Sequence, residues 1–78
     1  MFYTYVLKSL KDGDLYVGFS KDLKNRLREH NRGLVPATKE RRPFEIVYYE
    51  ACVSYSKAVE REKSLKTGFG RAYLKRRI

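Results

Sequence analysis

Cysteine, tryptophan, histidine and proline are scarce in this sequence of 78 residues. It contains one cysteine, one histidine, two prolines and no tryptophan. A single cysteine excludes an intramolecular disulfide and a cysteine-based zinc cluster, and it favours a reducing compartment such as the cytoplasm. The apolar run at residues 2–7 ends at Lys8, far short of the roughly 20 apolar residues that span a membrane. We therefore expect a protein that is neither exported nor membrane-inserted.

Acidic residues are also few, since 9 aspartates and glutamates face 18 lysines and arginines for a net charge of +9. That balance makes nucleic acid the first partner to consider, and the alternative is a charge that only keeps the protein soluble. The hydrophobic share of 42% and the aromatic share of 14% are too high for a disordered basic tail. Residues 1–78 are predicted to form one small folded domain.

Two stretches dense in β-forming residues, 2–9 and 15–20, predict a β-hairpin. A two-residue turn at residues 12–13, Asp-Gly, would place Tyr16 opposite Ser9 in the paired strands. One face of the hairpin then carries Tyr5, Tyr16 and Gly18.

The rest of the chain alternates between helical and extended patterns. Residue 20 or 22 is the expected N-cap of the first helix, which Gly33 ends, and Ser54 or Ser56 is the expected cap of the next. The strand predicted over residues 44–51 is apolar on both faces, and we therefore expect it to lie at the centre of a small sheet. The predicted elements are a helix over 22–32, a loop with about one helical turn over 34–43, a strand over 44–51, a helix ending at Lys66 and a basic helix over 71–77.

Two polar residues of the first predicted helix share the sector of its leucines. Arg26 and His30 are four residues apart and lie close to Leu23 and Leu27 around the helix. One interpretation is an arginine that extends past the leucines and a histidine that caps the helix end. The other is a phosphate clamp, in which Arg26 donates hydrogen bonds and His30 adds a contact or a proton relay.

Glu62 interrupts the apolar stripe of the second predicted helix. Ala58, Glu62 and Leu65 recur at helical spacing, whereas Glu60 and Lys63 point to solvent. An inward carboxylate needs a partner, which is either an ion pair with Arg26 or Lys66 or a metal ion. Magnesium binds through one or two carboxylates together with waters and phosphate oxygens.

The sequence has seven tyrosines, and most of them are expected to pack in the sheet with the hydroxyl in water. Tyr5 and Tyr16 differ because they flank Gly18, where the absence of a side chain would let a backbone phosphate approach the sheet. These residues are therefore candidates for contact with nucleic acid.

At these positions the chain resembles the GIY-YIG endonuclease family, most closely its small stand-alone members. Residues 3–5, Tyr-Thr-Tyr, stand where the first triplet belongs, although tyrosine and threonine replace its glycine and isoleucine. Residues 16–18, Tyr-Val-Gly, match the second triplet. The segment leading to Arg26 and His30 looks like the family's first helix, and residues 58–66 are similar to the helix that carries its metal-binding glutamate. Ordered agreement of this kind is specific, whereas the triplets alone would be weak.

The resemblance implies an α+β fold with a three-stranded antiparallel sheet flanked by helices. It implies a metal-dependent endonuclease that hydrolyses phosphodiester bonds in DNA, with a structure-selective role in repair or recombination. Glu62 would hold Mg²⁺ or Mn²⁺, Arg26 would offset charge at phosphorus, and His30 would relay a proton or contact phosphate. Tyr5 or Tyr16 would orient the attacking water and take its proton; the resemblance favours Tyr5, but the sequence does not rank them.

Contacts with nucleic acid and two rival functions complete the predictions. The sequence contains no helix-turn-helix or zinc finger beside the catalytic residues, so DNA shape, a protein partner or a homodimer would supply selectivity. The rivals are a non-catalytic nucleic-acid-binding module of the same fold and an adaptor that binds protein through a free sheet edge. The residues predicted to contact nucleic acid are Gly18, Lys24, Lys66 and Arg71.

Overall fold

The apolar run near the N-terminus becomes the central strand of a three-stranded antiparallel sheet. The computed structural model describes all of residues 1–78. The strand order is β2-β1-β3, and this α+β architecture is the one the resemblance implies. In chain order the elements are β1 (Phe2–Ser9), β2 (Leu15–Ser20), α1 (Leu23–Asn31), a 3₁₀ turn (Lys39–Arg41), β3 (Phe44–Cys52), α2 (Tyr55–Leu65) and α3 (Gly68–Lys75).

The hairpin forms, but its predicted register is wrong by two residues. Tyr5 pairs with Gly18 and Leu7 with Tyr16, because the connection is longer than a two-residue turn. The Ser9 amide donates to the Asp14 carbonyl at 2.9 Å, and the Ser9 hydroxyl accepts from the amides of residues 11 and 12. A shift of two residues returns every side chain to the same face, so Tyr5, Tyr16 and Gly18 still share one.

Strand β3 lies at an edge of the sheet, which corrects the prediction that it is central. Val6 pairs with Tyr48 and Leu7 with Ile46, so Val47 is an extra residue in the ladder and forms a β-bulge. A bulge places two consecutive residues against one partner residue and interrupts the alternation of faces. The apolar sequence around Val47 is therefore explained by a bulge. The strand that is buried on both faces is β1, in which residues 4–7 are all buried.

The sheet separates two hydrophobic clusters, one on each face. Tyr5, Leu7 and Phe44 pack with the leucines of α1. On the other face the strands pack against α2 and α3 through Val6, Val17, Leu65 and Leu74. Side chains of neighbouring residues in β1 point to opposite faces, so this one strand supplies both clusters.

The helices begin where side chains cap them. Asp22 caps α1 and Ser54 caps α2, each accepting a hydrogen bond from a first-turn amide, and Gly33 ends α1 with a φ of 76°. Helix α3 begins at Gly68, earlier than predicted, with Thr67 as its cap. A Cβ at Gly70 would lie 2.4 Å from the Leu65 Cα, so glycine there permits close packing onto α2. None of the helices has the length and apolar character needed to cross a bilayer.

Candidate active site

The Tyr5 ring lies over Gly18 in the neighbouring strand. Tyr5 is 1% exposed, and a Cβ at residue 18 would lie 2.4 Å from both the Cζ and the hydroxyl oxygen of Tyr5. Glycine is therefore required here to leave room for a phenol. Gly18 is itself buried, which corrects the expectation of an open backbone surface that a phosphate approaches.

His30 is fully buried at the C-terminal end of α1 and hydrogen-bonded through both ring nitrogens. Its Nε2 lies 2.8 Å from the Tyr5 hydroxyl, and its Nδ1 lies 2.7 Å from the Thr38 hydroxyl. Thr38 is also fully buried and lies 3.4 Å from the Val35 carbonyl. Tyr5, His30 and Thr38, which we call the relay, thus form a continuous hydrogen-bonded chain.

One tautomer of His30 satisfies every contact of the relay. In it the Thr38 hydroxyl donates to the Val35 carbonyl at 3.4 Å and accepts from His30 Nδ1–H at 2.7 Å. A neutral imidazole with its proton on Nδ1 leaves Nε2 as an acceptor, and Tyr5 O–H donates to it. The Tyr5 oxygen therefore keeps its lone pairs available for other donors.

Burial holds both titratable groups of the relay in their neutral forms. It lowers the pKa of His30 to about 4, and the nearby Arg26 charge acts in the same direction. Burial also raises the pKa of the Tyr5 phenol, against the influence of Arg26, which lowers it. Desolvation penalises the charged form of each group, so at neutral pH the relay carries no charge.

Arg26 and Tyr16 border the relay. The Arg26 guanidinium interacts with the Tyr5 hydroxyl, which raises the pKa of Arg26, and it also donates to Glu29 at 3.3 Å. The Tyr16 ring meets the His30 ring edge-on, with 5.1 Å between centroids. Arg26 reaches the relay from α1 and Tyr16 reaches it from β2.

Glu62 comes from α2, on the opposite side of the sheet from α1. Its side chain is 23% exposed and its carboxylate lies 2.9 Å from the Lys66 ammonium, which is one of the two ion pairs considered from the sequence. The Glu62 charge contributes to raising the pKa of Tyr5. Helical phase thus identified a half-buried carboxylate that acts electrostatically on the buried phenol.

The donor set around Glu62 suits a cation that is bound mainly by its substrate. No group of three histidine, cysteine, aspartate or glutamate side chains forms a closed metal cage. Magnesium needs only one or two carboxylates when waters and phosphate oxygens complete its octahedron. Glu62 is accessible and has a single ion-pair partner, so the chemistry of this carboxylate fits such an ion.

A cleft of about 520 Å³ brings together part of the predicted nucleic-acid surface. It lies between β2 and helices α2 and α3, and Tyr16, Lys66 and Arg71 are among the residues that line it. Lys24 is exposed on α1 and is not among the cleft residues. The structure therefore places two of the predicted cationic contacts beside one another and the third elsewhere.

Thr38 and Asn31 are part of this arrangement but were not singled out from the sequence. Thr38 lies in the loop without periodicity, where nothing distinguishes it from the neighbouring polar residues. The Asn31 side chain exchanges two hydrogen bonds with the Phe44 backbone and so holds the end of α1 against β3. Asn31 is a polar residue at the end of α1, next to His30, and this position could have indicated its role from the sequence.

Comparison with known proteins finds the GIY-YIG family over nearly the entire chain. The family model described as GIY-YIG catalytic domain matches residues 1–76. A UPF0213 protein of Staphylococcus saprophyticus is 44% identical over 66 residues, which cover 83% of this chain and 79% of that protein. A UPF0213 protein of Staphylococcus aureus is 42% identical over the same length and shares of the two chains.

A solved structure adds the three-dimensional comparison. The solution NMR structure of the UPF0213 protein BH0048 from Bacillus halodurans matches with a TM-score of 0.57 and 31% identity. The match covers 95% of this chain and 82% of that one. This chain is therefore a member of the GIY-YIG nuclease family, and residues 1–76 correspond to the family's catalytic domain.

Proposed function

We propose that residues 1–78 act as a single nuclease-like domain, a metal-dependent endonuclease that hydrolyses phosphodiester bonds in DNA. The observation that carries the proposal is the environment of the Tyr5 hydroxyl, which lies 2.8 Å from His30 Nε2 and near enough to the Arg26 guanidinium for this cation to lower the pKa of the phenol. A phenol in this position has a base for its own proton and a cation that stabilises negative charge on its oxygen. A packing tyrosine needs neither.

The relay moves a proton away from the attacking water. The water donates a proton to the Tyr5 oxygen as the Tyr5 proton passes to His30 Nε2, and the hydroxide forms a bond to phosphorus while the bond to the leaving 3′ oxygen breaks. Solvent returns a proton to that oxygen. In the protein without substrate, the low pKa of His30 makes this proton transfer unfavourable. A bound substrate phosphate adds negative charge nearby and favours the imidazolium.

Arg26 and Glu62 act on charge at the phosphorus. Arg26 donates to phosphoryl oxygens as they gain charge in the transition state. Glu62 would hold Mg²⁺ or Mn²⁺, which when bound supplies Lewis-acid stabilisation of the phosphoryl oxygens. Tyr16 lies against His30 and orients water or a ligand of the metal ion.

Nucleic-acid binding rests on the surface charge. The net charge of +9 gives this small domain a field that attracts the phosphate backbone without reading sequence. Lys66 and Arg71 contact phosphates from the cleft, Lys24 adds an outer contact, and Gly18 contributes indirectly by giving Tyr5 its place. DNA shape then supplies selectivity, which suits a cytoplasmic role in repair or recombination.

A cleavage panel tests the proposal. Linear and branched DNA are incubated with Mg²⁺ or Mn²⁺ and with the wild type, Glu62→Gln or Glu60→Gln. We expect Glu62→Gln to lose at least about 10³-fold in rate, because a metal ligand and its charge are removed. Glu60→Gln, on the solvent side of the same helix, removes the same charge and keeps the wild-type rate. Binding without cleavage by the wild type would instead identify a non-catalytic binding module.

A further inference from the structure

Phe69 exposes its ring to solvent at the start of α3. It is 92% exposed and takes no part in either hydrophobic cluster, whereas the other three phenylalanines are buried or half-buried. One exposed apolar residue is common on a protein surface. The surroundings of Phe69 therefore decide whether its ring has a function.

The backbone that carries Phe69 is fixed to α2. Two residues separate α2 from α3, and the second of them, Thr67, donates its hydroxyl to the Ser64 carbonyl at 2.6 Å and accepts from the Gly70 amide at 3.2 Å. Gly70 packs on the backbone of Leu65 so closely that a Cβ would overlap it. A rigid backbone loses little conformational freedom when a ligand binds. The ring thus projects from a preorganised corner.

The solvent side of α3 combines this ring with cations and no acid. Residues three or four positions apart lie on one side of a helix, and on this side they are exposed, whereas Gly70 and Leu74 on the opposite side are buried. The three cations of the exposed side belong to none of the ion pairs in the structure. The residues of this surface, which we call the α3 face, are Phe69, Arg71, Ala72, Lys75 and Arg76.

Positive charge is concentrated in this part of the chain. Residues 61–77 contain seven of the 18 lysines and arginines but only one of the nine acids, Glu62. Cations without a protein partner are free to contact phosphates. The α3 face exposes one large apolar side chain, which is too little to hold a helix in a membrane interface. The ligand that suits this surface is therefore nucleic acid.

An apolar ring among phosphate-binding cations is typical of a wedge. Proteins that kink duplex DNA insert a side chain such as phenylalanine between base pairs. Unstacking one base step costs about as much as burial of a phenyl ring recovers, so insertion into a well-stacked step gains little. A mismatched pair is already poorly stacked, which lowers that cost. A weakened step is therefore the preferred site for the ring.

We propose that the α3 face binds duplex DNA, with Phe69 inserted at a mismatched or otherwise poorly stacked base step. Arg71, Lys75 and Arg76 contact the flanking phosphates. The substrate class is thus double-stranded DNA with a local defect in stacking. This inference rests on the proposed nuclease function for its ligand and adds the structure of the substrate and the surface that holds it.

Binding in the presence of EDTA tests the wedge separately from catalysis. Fluorescence anisotropy is measured at equal salt with a labelled, fully paired DNA duplex and with the same duplex carrying one central mismatch. We expect the wild type to bind the mismatched duplex about fivefold more tightly and Phe69→Ala, which loses no packing contact in either cluster, to bind the two duplexes equally. Equal affinity of the wild type for both duplexes, or an unchanged preference in Phe69→Ala, would overturn the proposal.

Leu34→Ala is the matched control for the loss of an exposed apolar side chain. Leu34 is 64% exposed and follows α1, so this variant leaves the α3 face intact and should keep the preference for the mismatch. Phe69→Leu retains an apolar wedge and should keep about half of that preference. A loss in Leu34→Ala as large as that in Phe69→Ala would reject the wedge.

Insertion of the ring is detected directly by a fluorescent adenine analogue that is quenched when stacked. The analogue is placed next to the mismatch, and its fluorescence is recorded at saturating protein. We expect the wild type to raise the fluorescence about twofold or more and Phe69→Ala to leave it unchanged. Saturated binding by the wild type without a rise would mean that the ring stays outside the base stack, which overturns the proposal.

Two arginines in equivalent positions test the cations. Arg76 is the C-cap of α3 and Arg32 is the C-cap of α1, and both are exposed. Arg76→Gln and Arg32→Gln therefore remove the same charge in two places. Arg76→Gln is expected to weaken duplex binding about fivefold and Arg32→Gln less than about twofold. Equal losses would assign the binding to overall charge and reject the α3 face.

The remaining outcomes separate the wedge from a membrane contact and from the nuclease proposal. Phe69-dependent binding to phosphatidylserine vesicles, without a preference for the mismatch, would overturn the wedge in favour of a membrane contact. If the preference depends on Phe69 but neither Mg²⁺ nor Mn²⁺ supports cutting, the nuclease proposal fails and the wedge stands. If DNA is cut but Phe69→Ala binds and unstacks the duplex as the wild type does, the wedge fails and the nuclease proposal stands.

Discussion

The candidate active site has two parts that differ in how completely their polar groups are satisfied. The relay of Tyr5, His30 and Thr38 is buried, and each of its polar groups has a protein partner. Glu62 and Lys66, which we call the carboxylate pair, are partly exposed and satisfy each other through one contact. The relay is thus formed by folding alone, whereas the carboxylate pair is weak enough for a cation to displace Lys66.

Removing the Tyr5 hydroxyl from the relay is expected to have the largest effect on cleavage. Tyr5→Phe is expected to lower the cleavage rate by about 10² to 10⁴-fold, because it removes the hydroxyl that we propose as the general base. Tyr49→Phe removes the same atom from a tyrosine that is 56% exposed and should leave the rate within about twofold. The measurement is single-turnover cleavage with Mg²⁺, and a wild-type rate for Tyr5→Phe would assign the base to another residue.

Acid should destabilise the relay through the buried His30. In the unfolded chain His30 has a pKa of about 6.5, and in the folded protein that pKa is about 4. Below pH 6.5 the unfolded state binds the proton and the folded state does not, so the free energy of unfolding falls as pH falls. The loss is about 1.4 kcal/mol per pH unit, or about 2 kcal/mol between pH 6.5 and 5.

Urea unfolding of the wild type and of His30→Gln checks this window. The glutamine variant has no histidine, so its unfolding free energy should change much less between pH 6.5 and 5. The pKa of Asp12 is lowered to about 2, mainly by its hydrogen bond with Arg41. The stability that the Asp12–Arg41 pair contributes is therefore lost only at a pH well below 5. A wild-type curve as flat as that of His30→Gln would mean that the folded protein also protonates His30.

Thr38 sharpens the comparison because it is the end of the relay farthest from Tyr5 and is fully buried. Thr38→Val keeps the shape and removes the acceptor for His30 Nδ1–H, which leaves a buried donor without a partner. We expect the cleavage rate to fall about tenfold and the ¹⁵N chemical shifts of His30 to report a mixture of tautomers. Thr38→Ser restores both; an unchanged tautomer in Thr38→Val would limit Thr38 to packing.

Lys66 provides the smallest effect, on the carboxylate pair. Lys66→Met removes an ion pair that is worth about 0.2–1 kcal/mol when exposed, so the Mg²⁺ concentration for half-maximal cleavage should fall about two- to fivefold. Lys63→Met removes a neighbouring exposed charge that is not paired with Glu62 and should leave this concentration unchanged. A higher Mg²⁺ requirement in Lys66→Met would show that Lys66 supports the metal site instead of competing for it.

The sequence predicted the elements of the site better than their arrangement. Helical phase identified Arg26, His30 and Glu62, because a polar residue in an apolar stripe is visible in one dimension. The strands were found for a similar reason, since β-forming residues cluster between turn residues. Caps at Asp22 and Ser54 followed from local hydrogen-bonding chemistry, which the structure shows.

The features that sequence missed depend on contacts between distant residues or on loop geometry. The Ser9 hydroxyl organises a loop longer than a two-residue turn, which shifted the hairpin register. Val47 is a bulge, and the continuous apolar run that a bulge produces is indistinguishable from a central strand. Thr38 becomes part of the relay only when the loop packs on α1, so no local pattern identified it.

The packing of the Tyr5 ring on Gly18 means that residues 5 and 18, one in each triplet, cannot be substituted independently. Any side chain at residue 18 would overlap the phenol, so a viable substitution there must be accompanied by a smaller ring-free residue at position 5. Such a double change would preserve the sheet and abolish the hydroxyl in one event. For a chain of this type, the glycine in β2 therefore marks that an aromatic ring still lies across the sheet from it.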